Sequence, residues 1–196
     1  MPNLKIFVEG KADVKFIADY VFEHFQVGLS HTDDFYILNS WSGYKSGGYV
    51  IESIRQNFDN GAASILILDA DDNFQQRQTE VLADFARYGI PINLFLSPNN
   101  NGAGELENIL CAIAVEKQIL TCFDAYEACI ANNYKTPVLK AKIFAYLDAL
   151  LPDKNTRGGS SDLLQPQNRD YRNKAHWDLK DTYLQPLNDF LSPFFK

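Results

Sequence analysis

The stretch Ser64-Ile65-Leu66-Ile67-Leu68-Asp69-Ala70-Asp71-Asp72 constrains the fold of this chain more than any other, because an unbroken apolar run stops on a cluster of carboxylates. A run of this kind suits a strand covered on both faces, as in a parallel sheet flanked by helices. Leu4-Lys5-Ile6-Phe7-Val8 repeats the pattern on a smaller scale and ends on Glu9-Gly10. Two strands thus release acid groups at their carboxyl ends, the side of an open α/β sheet where ligands bind. Carboxylates converging there are costly unless something positive joins them, and a divalent cation is the fitting partner.

The flanking sequence supplies the helices that such strands need. Residues Asp13–Phe25 place Val14, Ile17, Ala18, Val21 and Phe25 on one side, and Tyr49–Phe58 does the same with Val50, Ile51, Ile54 and Phe58. Phe35–Leu38 and Ile92–Leu96 read as further strands, with a helix through Thr79–Tyr88 between Ser64–Leu68 and the latter. Strands separated by helices predict βαβ units: an α/β fold, a three-layer arrangement with a parallel sheet of about four strands and helices on both faces. From Glu105 onward only helical spacing remains, apart from a polar loop over 153–173 and a closing helix over 179–191. The expected organisation is an α/β domain over 1–115 with a helical C-terminal extension, 116–196, packed on it.

A net charge of -7 in 196 residues argues against a protein that grips nucleic acid by a general basic surface. Acids gathered at a metal site inflate that total, and the bound ion locally reverses it. No apolar stretch approaches a membrane span, so the expectation is a soluble, cytoplasmic chain with no membrane partner. Cys111, Cys122 and Cys129 lack metal spacing and are expected to be reduced, buried thiols.

Side chains two apart on an extended chain share a face, so Asp69 and Asp71 are expected to point the same way, with Glu9 as a third donor if its strand is adjacent. Mg²⁺, or Mn²⁺ in its place, needs few protein carboxylates and keeps waters and phosphate oxygens for its other positions. Lys11, in the turn after Glu9, faces the same crevice and is suited to hold a phosphate. Asp13 is placed to cap the first helix. The glycine-bearing loop Ser40–Gly48 carries Lys45 towards an anion, although it is no Walker A motif. Basic and aromatic residues interleave in the stretch containing Arg169, Arg172, Lys174 and Trp177, which makes it the candidate nucleic-acid contact. The alternative is a loop pinned to the domain by Trp177.

Val8-Glu9-Gly10-Lys11-Ala12-Asp13, followed by Ile67-Leu68-Asp69-Ala70-Asp71, resembles the signature of the Toprim domain, the metal-binding unit of topoisomerases, primases, a small ribonuclease and the overcoming-lysogenisation-defect (OLD) nucleases. Gly104-Glu105-Leu106-Glu107 resembles a Gly-x-Leu-Glu segment of Toprim-like proteins near the OLD branch. The resemblance covers about residues 1–115. It implies Glu9, Asp69 and Asp71 as catalytic and metal-binding acids, Glu107 as a fourth ligand, and Mg²⁺-dependent breaking or joining of phosphodiester bonds. Residues two apart on a helix diverge by about 200°, so only one of Glu105 and Glu107 is expected to reach the site. A topoisomerase tyrosine context, a primase zinc motif and the ATPase of many OLD proteins are all missing from the sequence.

The leading expectation is a metal-dependent nuclease acting on DNA or RNA. A second is a non-catalytic module that binds metal, nucleic acid or a partner ATPase. A third is a phosphatase of haloacid-dehalogenase type with Asp69 as nucleophile, for which Asp72-Asn73 after the DxD is an unusual continuation.

Overall fold

A computed structural model describes residues 4–38, 48–150 and 165–196. Strands β1 (Leu4–Val8), β2 (Phe35–Ile37), β3 (Ala63–Asp69) and β4 (Asn93–Ser97) form one sheet in the order β2-β1-β3-β4, and every pairing is parallel. Helix α1 (Lys11–Phe25) joins β1 to β2, α2 (Gly48–Asp59) joins β2 to β3, and α3 (Phe74–Arg87) joins β3 to β4. The α/β sandwich expected from the alternation is therefore present. Because β1 lies inside the sheet, the chain moves outward to β2, then crosses back over β1 to β3. The strand order reverses between β1 and β3, and the crevice at their carboxyl ends is where ligands bind in such sheets.

Alternation along the strands divides the core in two. Ile6, Val8, Ile65, Ile67 and Phe95 face α1, while Phe7, Leu66, Leu68 and Leu96 face α2 and α3 through Val50, Ile54, Val81 and Phe85. Both layers are needed, since every central strand residue from Ile65 to Leu68 is buried.

After β4 the chain is helical, in α4 (Leu106–Ile113), α5 (Lys117–Ile130), α6 (Leu139–Ala149) and α7 (Gln185–Phe195), with short 3₁₀ turns at Pro166–Asn168 and Thr182–Leu184. The last helix starts six residues later than its apolar spacing suggests, because the chain from 177 to 184 is held by backbone bonds to α4 and by tight turns. These elements share the α1-side core: Leu110, Ile143, Tyr146, Trp177, Leu187 and Leu191 lie in one cluster with Ile6 and Val14. Tyr146 is the tie-point. Its hydroxyl accepts the Val115 and Glu116 amides at 3.1 and 3.3 Å and donates to the His176 carbonyl at 2.6 Å.

One expectation is corrected. Cys122 and Cys129 are exposed, because α5 rests on the core mainly through Leu120 and turns its cysteines outward, and Cys111, in α4, is only half-buried. No helix among the described residues is long and apolar enough to cross a membrane.

Candidate functional site

The carboxyl ends of β1 and β3 bring Glu9 and Asp69 together. With Val8 paired to Ile67, Glu9 leaves its strand beside the end of β3, and its Oε1 accepts the Asp69 amide at 3.1 Å. The Asp69 carboxyl in turn reaches across to the start of α4, where Oδ1 accepts the Leu106 amide at 3.1 Å. This amide is one of the unpaired donors at a helix start, and the helix dipole favours negative charge there. Glu9 Oε2 and Asp69 Oδ2 take no hydrogen bond from the described residues.

These two acids open into a cavity of about 390 Å³ that Asp13, Glu107, Lys11, Lys140 and Pro166 also line. Asp13 caps α1 as expected, its Oδ2 accepting the Gly10 amide at 2.8 Å, and it also adds its charge to the cavity wall. Glu107 is 5% exposed and sits in the first turn of α4, whereas Glu105 is the residue before that helix. Of the two glutamates, Glu107 is the one on the cavity. Lys140, from α6, approaches Glu107 Oε1 at 3.7 Å. Its sequence context, a helix with an ordinary solvated face, gives no sign of that placement.

The electrostatics follow from four acids crowded into a partly dry space. Burial, and after it repulsion from Asp13, Glu9 and Glu107, pushes the Asp69 carboxyl up to about 9. Burial is also the largest cause for Asp13, pushed up to about 7 with Glu9 and Glu107 adding to it against the Gly10 amide. Glu9 is raised by burial, opposed by the Asp69 amide and by Arg77. Glu105 is raised by burial and by the charge of Glu107. Lys11 and Lys140 stand at the rim of this group, both exposed.

Asp71 does not join them. The strand ends at Asp69, and Asp71 takes a left-handed backbone with φ of 51°, so the alternation that would align the two aspartates no longer applies. It pairs through its backbone with Gly104, amide to carbonyl at 3.0 Å one way and 2.7 Å the other. Its carboxylate forms an ion pair with Arg77. Arg77, buried in α3, also donates from Nε to the Asp69 carbonyl at 3.0 Å and lies 3.8 Å from Glu9 Oε1. The sequence places an arginine eight residues after Asp69 without indicating that it folds back under the strand end. Gly104 is required in this strap. At φ of +141° an added Cβ would lie 2.6 Å from Asn108 Oδ1, the atom that accepts the Glu105 amide at 2.8 Å.

As the side chains stand, no three acidic, histidine or cysteine residues among those described form a ready group for a metal ion. The donor chemistry is nevertheless that of a hard cation, with oxygens only and two of them without a hydrogen bond, on a pair of the kind that suffices for Mg²⁺ when waters complete the shell.

The expected nucleic-acid contact is rearranged. Trp177 is 1% exposed, packed between Tyr146 and Tyr171 with ring centroids 5.1 and 5.8 Å away, and its backbone bridges to Ala114. Arg169 is also 1% exposed, donating to the Tyr171 hydroxyl at 3.3 Å and lying over Phe144. Neither is on the surface, because residues 166–178 close the core instead of lying over it. Arg172 and Lys174 stay outside. Lys45 lies outside the described residues.

Fold and site together define an α/β sandwich with a recessed acid pair at its strand-order reversal. In comparison with known proteins, no family model matches this chain, and neither a curated protein nor a solved structure does.

Proposed function

We propose that the protein is a Mg²⁺-dependent phosphoryl-transfer protein of Toprim type, a nuclease acting on DNA or RNA, with Mn²⁺ able to replace Mg²⁺. One observation carries the reading: Glu9 and Asp69 meet at the switch point of the sheet, amide-anchored through one oxygen each and, among the described residues, free of hydrogen bonds at the other. Buried acids raised as these are gain from a cation that replaces their protons. Glu9 and Asp69 would hold the ion, with Asp13 and Glu107 adding negative charge around its waters. The chemistry such an ion would supply is activation of a water and stabilisation of the departing oxygen. Lys11 and Lys140 stand where a phosphate entering the cavity meets positive charge. Asp71 serves as the counter-ion of Arg77, and Arg77 holds the Asp69 carbonyl so that its carboxyl stays aimed at the cavity.

The test is hydrolysis of labelled DNA and RNA strands with Mg²⁺ or Mn²⁺. Cleavage by the wild type and its loss in Asp69→Asn, with an unchanged circular-dichroism spectrum, is the expected result; equal turnover in that variant removes the mechanism. A non-catalytic module binding metal, nucleic acid or a partner ATPase is the second reading. What favours it is that Arg77 already neutralises Asp71. Metal binding in a calorimeter, with every phosphodiester left intact, would select it.

A further inference from the structure

Residues 166–180 run beside α1 from one end to the other. Pro166 lines the acid cavity near the start of that helix. Midway, the Tyr171 amide donates to Asp19 Oδ2 at 2.9 Å, and the Arg172 guanidinium lies 4.8 Å from the Phe22 ring. The segment ends around a second cavity of about 230 Å³, against Glu23 in the last part of α1. Val115, with the little of the buried Leu179 and Trp177 that reaches it, gives this slot an apolar floor; Arg172, Lys174 and Lys180 give it a cationic rim, and Asp178 joins Glu23 as a second acid there.

The rim charges are loosely held. Lys174 and Lys180 share one carboxylate, each 3.8 Å from Glu23 Oε1, and their side chains are 78% and 70% exposed. Arg172 stands 3.8 Å from Asp19 and 3.9 Å from Asp170. Exposed pairs at such separations contribute little and exchange readily for a phosphate. An apolar floor bordered by three cations matches the two halves of a nucleotide, an apolar ring and an anion beside it. A duplex buries the ring edges and asks for a broad basic face, which a chain of net charge -7 lacks.

We propose that this slot takes one unpaired nucleobase, with its phosphate on Lys174 and Lys180, and that a single strand runs from it along α1 to the acid cavity. The path to the cavity rests on the phosphodiester reading above; binding in the slot does not. Asp13 and Glu23 are ten residues apart on one helix, about 15 Å at 1.5 Å per residue. That is the reach of a few nucleotides at roughly 3.4 Å or more each.

The experiment uses the full chain with Trp41→Phe, so that Trp177 is the sole tryptophan, titrated with dodecamers of deoxythymidine or of uridine in EDTA. The expected result is quenching of Trp177 by at least one of them. In Lys174→Glu/Lys180→Glu, affinity should fall at least tenfold. In the milder Lys174→Gln/Lys180→Gln, the slope of log affinity against log salt should become shallower by about 0.7, the one phosphate that the two lysines share. Which strand binds more tightly separates DNA from RNA. Equal affinity and slope in the variants would overturn the proposal, as would equal quenching by polyglutamate, which would make the slot a site for acidic peptide. Mg²⁺-dependent hydrolysis of bis(4-nitrophenyl) phosphate should be untouched in both variants. Its absence from the wild type, with strand binding intact, would count against the phosphodiester chemistry and leave the slot standing.

Discussion

Replacing Asp69 by asparagine keeps the oxygen that accepts the Leu106 amide and removes the group's titration. In the folded chain, burial and three neighbouring acids push this carboxyl up to about 9, from an ordinary value of 3.8. Between those values the folded state holds a proton that the unfolded chain has lost. Stability from this group is therefore fully present below the unfolded value and is lost as pH rises towards the folded one, by at most ~1.4 kcal/mol per pH unit. From pH 5 to pH 7 the wild type should lose up to ~2.7 kcal/mol relative to Asp69→Asn, and ~1–2 kcal/mol once water in the open cavity screens the repulsion. Urea unfolding followed by circular dichroism, in EDTA at pH 5, 6, 7 and 8, reads this directly as a shift in midpoint at constant slope. Adding Mg²⁺ at ten times its dissociation constant should restore ~1.4 kcal/mol to the wild type and nothing to the variant. Parallel stability curves for the two proteins, or a variant that falls below the wild type as pH rises, would refute the picture of unneutralised acids at the switch point.

Glu9→Gln should abolish stabilisation by Mg²⁺, whereas Asp71→Asn should retain it while losing ~1–3 kcal/mol from the broken Arg77 pair; thermal melts with and without the ion compare them. Gly104→Ala should cost ~1–3 kcal/mol in urea unfolding, since both the backbone angle and the Asn108 side chain oppose a Cβ there.

The sheet was legible because Leu4–Val8 and Ile65–Leu68 are apolar without interruption and the helices between strands carry regular spacing. The positions of Glu9 and Asp69 followed from the same pattern, as strand ends in a parallel fold must lie on one side. Asp71 did not follow. Period-two alternation holds only while the chain stays extended, and the turn to positive φ is fixed by a partner, Gly104, that lies 33 residues away. Arg77 and Lys140 were hidden for the same reason: each reaches the acids through packing of a helix against the sheet, which spacing within that helix does not encode. Trp177 shows a different limit. Alternating basic and aromatic residues describe a surface that stacks on bases equally well as a plug whose rings point inward, and only the core it closes distinguishes them.

That plug has a consequence for how the chain can be divided. The core on the α1 side of the sheet is completed by residues that come more than 140 positions after α1, among them Trp177, Leu187 and Leu191. A fragment ending near residue 115 would keep all four strands and the acids, yet lose Ile143, Tyr146, Trp177, Leu187 and Leu191 from the cluster that holds Ile6, Val14 and Ile109. Its sequence signature is separable from the rest; its physical integrity is not.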